Sequence, residues 1–209
     1  MAKRRRVVVT AGPTREHVDP VRYLTNESSG RMGFAIAKAA AAAGCHVTLV
    51  AGPVDLLTPK GVKRVDVVSA RDMLAAVREA FQDADALFMA AAVSDWRPRR
   101  KLSGKWRKKD DGEATVQLDL VRNPDILKTV AARKGDRLVV GFALETADGL
   151  RRARGKMKRK GTDFVVLNDA SALSSSYATV IILGADGSSV ELREQTKDAI
   201  AKAIVALGC

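Results

Sequence analysis

The fold class follows from two stretches, RVVVTAGP at residues 6–13 and GRMGFAIAKAAAAAGCHVTLVA at residues 30–51. The first is a β-branched run that ends in a Gly-Pro turn signal, and it predicts a buried strand. The second is a helix-forming, alanine-rich segment that ends at Gly44, followed by another short apolar run at residues 46–51. Strand, helix and strand in this order predict a βαβ unit with parallel strands.

The same alternation continues along the chain. Further strands are predicted at residues 62–68, 84–93, 138–143 and 163–167, helices at 70–81, 147–160 and 194–207, and a hairpin from 180–183 and 190–192 across Asp186-Gly187. The run at 84–93 is nearly all apolar, as expected of a central parallel strand that is covered on both faces. We therefore predict a single α/β domain over residues 1–209, a doubly wound, mostly parallel Rossmann-like sheet with helices on both faces.

Two segments near the middle of the chain are less regular. TVQLDL at residues 115–120 alternates like an exposed strand, and Asn123-Pro124 predicts the start of a short helix with Asn123 as its N-cap. Residues 97–112 and 170–176 are predicted to be mobile loops or inserted arms.

Composition and cysteine usage limit the class of protein. Hydrophobic content of 46% and charged content of 29% are those of a globular chain, and 209 residues can form a core without disulfide or metal. Cys45 and Cys209 have no metal-ligand spacing, so no structural zinc is expected and a reducing compartment is the default. The sequence shows no apolar run of signal-peptide or membrane-span type. We expect a cytoplasmic protein without a membrane partner.

The net charge of +12 is concentrated in two runs that contain no acid. Residues 97–109 include eight basic residues and residues 151–160 include seven, so the rest of the chain carries −3. Like charges this close repel one another, and two such runs on a slightly acidic body predict an anionic ligand. Composition leaves open whether this ligand is a polyphosphate or a nucleic acid.

The segment after the first strand is expected at the ligand-binding edge of the sheet. It lacks the G-x-G-x-x-G fingerprint of ordinary dinucleotide sites. Ser28-Ser29-Gly30 come directly before the first helix and offer hydroxyls and backbone N–H groups at the positive end of its dipole. This predicts an anion site, with a simple capping motif as the alternative.

Six blocks of the sequence resemble phosphopantothenate–cysteine ligase, the ligase half of the bifunctional bacterial protein of coenzyme A biosynthesis. The longest is TAGPTREHVDPVRYLTNESSGRMG at residues 10–33. The others follow in family order: AAVSDWRP at 91–98, KWRK at 105–108, NPDIL at 123–127, GFALET at 141–146, and Lys156, Lys160 and Asp163 leading to Asn168.

The resemblance implies an enzyme that activates the carboxylate of 4′-phosphopantothenate with a nucleoside triphosphate, which is CTP in most bacterial members. Pyrophosphate leaves, an acyl-cytidylate forms, and the amine of L-cysteine attacks it to give the amide and CMP. Carboxylate attack on an α-phosphate brings two anions together, which explains why CTP is expected with Mg²⁺ and with cationic side chains. Neither flavin nor nucleic acid is expected as a ligand.

The motif positions imply Lys105, Asn26 and Arg22 as catalytic residues. Lys105 would supply the essential cation from a mobile loop at about 97–112, which closes and keeps water from the acyl-phosphate. Asn26 would bind an oxyanion or orient the amine, and Arg22 would neutralise a phosphate or carboxylate. The implied nucleotide-binding residues are Gly12, Ser28, Ser29, Gly30, Ala91, Ala92, Asp95, Lys105, Phe142, Lys156 and Lys160. Asp95 is a candidate for the cytosine, the ribose or the metal.

Departures from the family pattern leave some inherited properties open. Leu144 replaces a frequent Ala next to Phe142, so ATP remains the alternative nucleotide, and Trp106 and Arg107 change the packing of the Lys105 loop. Many bacterial members follow a flavin-dependent decarboxylase in one chain. The first ligase motif begins here at Val7, so either a free-standing ligase or the ligase half of such a protein is expected. Family members work as dimers, and the strand at residues 115–120 is a candidate edge for pairing.

Two other classes of protein fit the sequence less well than the ligase does. A nucleic-acid-binding protein would use the basic runs with interleaved aromatic residues, but only Trp96 and Trp106 qualify and aromatic content is 4%. An NAD(P)-dependent oxidoreductase would need a G-x-G-x-x-G fingerprint and a suitably placed acidic residue after the second strand, and the sequence has neither.

Overall fold

Strands and helices alternate through the computed structural model, which describes residues 4–107, 115–145, 148–169 and 177–209, with the backbone alone at residues 145 and 169. The described strands are Arg6–Ala11 (β1), Arg15–His17 (β2), Tyr23–Thr25 (β3), His46–Ala51 (β4), Val62–Asp66 (β5), Ala86–Met89 (β6), Trp96–Pro98 (β7), Leu120–Arg122 (β8), Leu138–Glu145 (β9), Phe164–Asp169 (β10), Tyr177–Gly184 (β11) and Ser189–Thr196 (β12). The described helices are Arg31–Ala42 (α1), Ala70–Phe81 (α2), Ile126–Ala131 (α3), Gly149–Lys160 (α4) and Lys197–Val205 (α5). No helix in the described part of the chain has the length and apolarity needed to cross a bilayer.

Eight of the described strands form a central sheet in the order β12–β11–β10–β9–β6–β1–β4–β5. The strands from β10 to β5 in this order are parallel, and β11 and β12 add an antiparallel edge. The winding proceeds from β1 toward β4 and β5 and then from β6 toward β9 and β10, so it reverses between β1 and β6. The predicted doubly wound, mostly parallel sheet is confirmed. Ligands of such sheets bind beyond the carboxyl ends of the strands at the reversal.

The core explains the unbroken apolar sequence of β1, which is buried on both faces. Val7 and Val9 lie in a cluster with Ile36 of α1 and Ile200 of α5, whereas Val8 lies with Met73 of α2 in a second cluster. Successive residues of a strand point to opposite faces, so these clusters cover the two sides of the sheet. Each such buried side chain contributes about 1.5–3 kcal/mol, which makes the sheet a firm base for the loops at its edge.

β1 and β4 approach closely where both strands end, because Gly52 has no side chain. The Gly52 N–H donates to the carbonyl of Ala11 at 2.9 Å, and a Cβ at position 52 would lie 1.8 Å from the carbonyl oxygen of Pro13. Further along, the Arg15 N–H donates to the carbonyl of Val68, just after β5, at 2.8 Å. The segment that follows β1 is thereby fixed along the carboxyl edge of the sheet.

The predicted strand at residues 115–120 is wrong in its position. Residues 115–119 form no strand, and β8 begins only at Leu120, where it pairs antiparallel with β7. A strand needs a neighbour for its backbone groups, and β7 is three residues long. The loop predicted at about 97–112 therefore starts inside a strand.

The helix start predicted at Asn123 is also wrong. Asp125 is the N-cap of α3, and its carboxylate accepts a hydrogen bond from the Lys128 N–H at 3.0 Å. The helix at 70–81 and the hairpin of β11 and β12 are confirmed. Several predicted features lie outside the described residues: Lys108 and Lys109 with the rest of 108–114, Thr146 and Ala147, and the loop at 170–176.

Cys45 and Cys209 form a disulfide, with Cα atoms 6.4 Å apart. It joins the turn before β4 to Cys209, which lies four residues beyond the last residue of α5. The sequence predicts a reducing compartment and gives no sign of this pair, because 164 residues separate the two cysteines.

Candidate functional site

A cleft of about 430 Å³ opens at the carboxyl ends of β6 and β9 and is bounded by α3 and α4. It is lined by five of the residues predicted from the sequence to bind nucleotide, namely Ala91, Asp95, Phe142, Lys156 and Lys160. The cleft lies next to the winding reversal, where doubly wound sheets bind their ligands.

One part of the cleft wall comes from the ends of β6 and β9. The Ala91 N–H donates to the hydroxyl of Thr10, a buried residue of β1, at 3.0 Å. This bond fixes the backbone just after β6, and the small side chain of Ala91 allows a ligand to approach it. Phe142 is half-buried in β9 and lines the same space with an aromatic ring.

The basic part of the wall comes from α4. Lys156 and Lys160 are one turn apart, so they share a face of the helix, whereas Ala153 and Met157 are buried against the sheet. The Lys156 ammonium donates to the carbonyl of Phe142 at 2.6 Å, and Lys160 forms an ion pair with Asp125. Two ammonium groups therefore line the cleft beside the first turn of α3.

The Asp125–Lys160 pair links the two helices that bound the cleft. Burial raises the pKa of the Asp125 carboxyl, but hydrogen bonds from Lys160 and from the Lys128 N–H, with both lysine charges, outweigh burial. The pKa therefore lies below its ordinary value of 3.8. Asp125 is ionised at neutral pH, and it offsets part of the positive charge of Lys160.

This pKa shift predicts an acid-dependent loss of stability. A carboxyl whose pKa is lower in the folded state stabilises the fold above its unfolded pKa, and this contribution is lost as the pH falls through the folded value. Between about pH 6 and about pH 3, urea unfolding should show that the wild type loses more stability than Asp125→Asn, by about 1 kcal/mol or less because the pair is partly exposed. Asp198→Asn, which breaks the exposed pair with Lys38, is the control and should behave like the wild type. Equal acid sensitivity of the wild type and Asp125→Asn would contradict the pKa assignment.

Asp95 is exposed, and its backbone is held in place by Asn123. The Asn123 side-chain amide donates to the carbonyl of Ser94 at 2.8 Å, and its backbone N–H donates to the carbonyl of Asp95 at 2.8 Å. The side-chain amide oxygen of Asn123 accepts a hydrogen bond from the guanidinium of Arg97 at 3.2 Å. Sequence reasoning missed this role, because a cap was the obvious local interpretation of Asn-Pro-Asp. The matching block at residues 123–127 was the available signal.

Asn26 is tied to the end of β6 through Ala92. Its side-chain amide donates to the carbonyl of Ala92 at 3.1 Å, and the Ala92 N–H donates to the carbonyl of Gly12 at 2.9 Å. Because Ala91 lines the cleft, Asn26 and Gly12 lie at its border rather than in its wall. The structure thus brings two regions predicted from distant motifs to the same strand end.

Ser28, Ser29 and Gly30 form the start of α1 and do not line the cleft. Gly30 is the N-cap with φ of 75°, and no side chain caps this helix. The Gly30 N–H donates to the Ser28 hydroxyl oxygen at 3.4 Å. The first turn of α1 thus has the features of an anion site, on the sheet face opposite α3.

Lys105 and Arg22 lie together on another side of the site and do not line the cleft. Lys105 is exposed, in a loop that follows β7. Arg22 is half-exposed, and its guanidinium donates to the carbonyl of Trp106 at 3.0 Å. The residue predicted to bind a substrate anion therefore also holds the loop that carries the predicted catalytic lysine.

The described part of the cleft offers few protein ligands for a metal ion. Among the described residues, no group of three or more His, Cys, Asp or Glu side chains is arranged to hold an ion. Asp95 is the exposed carboxylate in the cleft, since Asp125 is paired with Lys160. One carboxylate plus phosphate oxygens is a usual coordination for Mg²⁺, so the residues fit an ion that binds with a triphosphate.

Comparisons with other proteins agree with this picture. A family model described as "DNA/pantothenate metabolism flavoprotein C-terminal domain" matches residues 2–207. The coenzyme A biosynthesis bifunctional protein CoaBC of Vibrio cholerae is 44% identical over 208 residues, which cover 97% of this chain and 52% of that protein. The protein of the same name from Escherichia coli is 47% identical over 172 residues, which cover 82% of this chain and 42% of that protein.

The fold is shared with a solved structure. The crystal structure of the C-terminal domain of CoaBC superposes with a TM-score of 0.84 at 38% identity, covering 97% of this chain and 93% of that one. The chain spans about half the length of the curated relatives it matches. The resemblance noted in the sequence and the doubly wound fold are both confirmed.

Proposed function

The chain belongs to the family of the DNA/pantothenate metabolism flavoprotein C-terminal domain, and from this premise we propose that it ligates 4′-phosphopantothenate to L-cysteine, with CTP as the activating nucleotide. The observation that carries the proposal is the composition of the cleft. It combines two lysines, an exposed carboxylate, a small residue and an aromatic ring at the carboxyl edge of the sheet. This is the chemistry that a nucleoside triphosphate needs.

The nucleotide is proposed to occupy the cleft with its triphosphate at Lys156 and Lys160. Their ammonium groups are charge-assisted donors for phosphate oxygens. Ala91 and Phe142 then flank the base, and the fixed backbone at Ala91 provides groups that can read its edge. Outside the cleft, the start of α1 at Ser28, Ser29 and Gly30, together with Gly12, is proposed to bind the reacting phosphoryl group at the same edge of the sheet.

Mg²⁺ fits this arrangement at Asp95 with the triphosphate. When bound, the ion neutralises charge on the phosphoryl oxygens and so favours attack by a carboxylate. Asp95 is a suitable ligand for the ion, because Asn123 fixes the backbone that carries the Asp95 carboxylate.

The acid and the amine are proposed to react on the Asn26 side of Ala92. Asn26 donates to Ala92, and it is a candidate to bind the oxyanion that forms when cysteine attacks the acyl-cytidylate. Arg22 has five N–H donors, more than its contacts with Asp19 and Trp106 use, so it can still bind a carboxylate or phosphate. Lys105 provides the cation that balances charge at the α-phosphate.

Product formation tests the proposal. The enzyme with 4′-phosphopantothenate, L-cysteine, Mg²⁺ and CTP should yield 4′-phosphopantothenoylcysteine and CMP, detected by mass spectrometry, and ATP should support much slower formation. Equal rates with ATP would overturn the choice of nucleotide but not the ligase. No product with either nucleotide would overturn the ligase itself.

A homodimer is part of the proposal, with its contact at residues 115–120. Val116 is 67% exposed and Leu120 is 37% exposed, so apolar side chains lie on the surface beside the β7–β8 pair. We expect a dimer in sedimentation equilibrium at micromolar concentration, and Val116→Lys should weaken it, whereas Val190→Lys on β12 should not. A wild-type monomer at that concentration would contradict this part of the proposal.

A further inference from the structure

Asp19 is a fully buried carboxylate at the tip of the hairpin formed by β2 and β3. One carboxylate oxygen accepts hydrogen bonds from the N–H groups of Val21 and Arg22, each at 2.7 Å. These two bonds hold the turn that joins the strands. They leave the other oxygen for a partner from outside the hairpin.

That partner is the loop that carries Lys105. The second oxygen of Asp19 accepts a hydrogen bond from the Trp106 N–H at 3.0 Å and lies 3.4 Å from the guanidinium of Arg22. This N–H belongs to the peptide that joins Lys105 to Trp106. Arg22 also donates to the Trp106 carbonyl, so the backbone is held on both sides of residue 106.

A second tie holds the other end of the same loop. The Leu102 N–H donates to the carbonyl of Val18, the residue before Asp19, at 2.8 Å. Lys105 therefore lies between two points at which the loop is bonded to the hairpin tip. We call residues 102–106 with residues 18–22 the hairpin–loop tie.

The hairpin–loop tie depends on the negative charge of Asp19. A buried carboxylate is costly unless donors satisfy it, and here three backbone N–H groups and one guanidinium do so. The Trp106 hydrogen bond lowers the pKa of Asp19, burial opposes this, and the turn N–H groups and the Arg22 charge lower the pKa further. The ionised carboxylate is the form that accepts all of these bonds.

We propose that Asp19 is a positioning residue, which holds the loop so that Lys105 faces the reaction at Asn26. The hairpin provides the connection, since β3 leads directly from the Arg22 side of the tip to Asn26, which is bonded to Ala92. This inference rests on the proposed ligase function. Asp19 touches no substrate in it and acts only through Lys105.

Asp19→Asn tests the tie with little change of shape. The amide oxygen can still accept from the turn, but its NH₂ group would face the Trp106 N–H, and the negative charge beside Arg22 is lost. We expect kcat for CTP-dependent pyrophosphate release to fall about 10- to 100-fold, while KM for CTP stays within about threefold because the cleft is intact. Asp186→Asn is the matched control and should be unchanged, because the carboxylate of Asp186 accepts hydrogen bonds from Ser188 within the β11–β12 turn.

Two further measurements separate positioning from a general loss of structure. In the Lys105→Gln background, Asp19→Asn should lower kcat only a little further, because the effects of residues that act as one unit are not additive. Hydrogen exchange of residues 102–107 should speed up in Asp19→Asn while thermal unfolding of the sheet is unchanged. If Asp19→Asn does not fold, Trp106→Pro removes the same hydrogen bond from the loop side and should give the same loss of kcat.

The outcomes are distinguishable. An active wild type with normal kcat in Asp19→Asn, or a full additional loss in the Lys105→Gln background, would overturn the role of Asp19 and leave the ligase intact. Unchanged exchange at residues 102–107 would overturn the hairpin–loop tie. A wild type without pyrophosphate release would overturn the proposed function, and the positioning role with it.

Discussion

Replacing Lys105 by glutamine should lower the rate of CTP-dependent pyrophosphate release by about 100- to 1,000-fold, the loss typical of removing one preorganised group that stabilises transition-state charge. Glutamine keeps length and polarity but not the positive charge. In the proposed reaction a carboxylate attacks a phosphoryl group, so charge accumulates where Lys105 would be placed by the hairpin–loop tie. The loop itself should stay in place, because its bonds to Asp19 and Val18 use backbone groups.

The matched control for this variant is Lys101→Gln. Lys101 is an exposed lysine of the same loop, so its loss changes the net charge equally. A continuous pyrophosphate assay should show near-normal rates for Lys101→Gln. Normal turnover of Lys105→Gln, or an equal loss in both variants, would show that the loop contributes only its general charge.

Replacing Lys156 by glutamine should raise KM for CTP by about 10- to 100-fold, with a smaller effect on kcat. A hydrogen bond to a charged group contributes about 1.5–3 kcal/mol, which corresponds to this range. Lys156 lines the cleft, and its ammonium donates to the carbonyl of Phe142. Lys160→Gln is expected to raise KM for CTP in the same direction.

Lys158→Gln is the control on the same helix. Lys158 is exposed and does not line the cleft, so initial-rate measurements should give a nearly unchanged KM for CTP. If Lys158→Gln raised KM as much as Lys156→Gln, the basic helix would act as a diffuse field and not through a defined phosphate contact.

The fold could be predicted because its signals are local. Val7, Val8 and Val9 form one unbroken apolar run, since the two sides of β1 face different clusters. The glycine after the alanine-rich segment correctly indicated the end of α1. The spacing of apolar residues within a segment indicates whether that segment is a strand or a helix, so the order of strands and helices could be predicted.

The site was only partly predictable, because its decisive contacts join distant residues. The local sequence predicts Asn123 as a cap, yet Asn123 holds Ser94 and Asp95, which lie 28 or more residues earlier in the chain. Asp19 was one residue of a long motif, and its bond to Trp106 spans 87 residues. No local pattern encodes such pairs. The shared position of Lys156 and Lys160 could be predicted, because their spacing of four residues alone places them on one face of α4.

Single-turnover release of pyrophosphate tests the central claim most directly. The enzyme with Mg²⁺, CTP and 4′-phosphopantothenate, but without L-cysteine, should release about one pyrophosphate per active site and then stop, as expected when an acyl intermediate accumulates. Adding L-cysteine should then produce CMP and continuous turnover. Release of pyrophosphate from CTP without 4′-phosphopantothenate, or none until L-cysteine is added, would contradict an acyl-cytidylate intermediate.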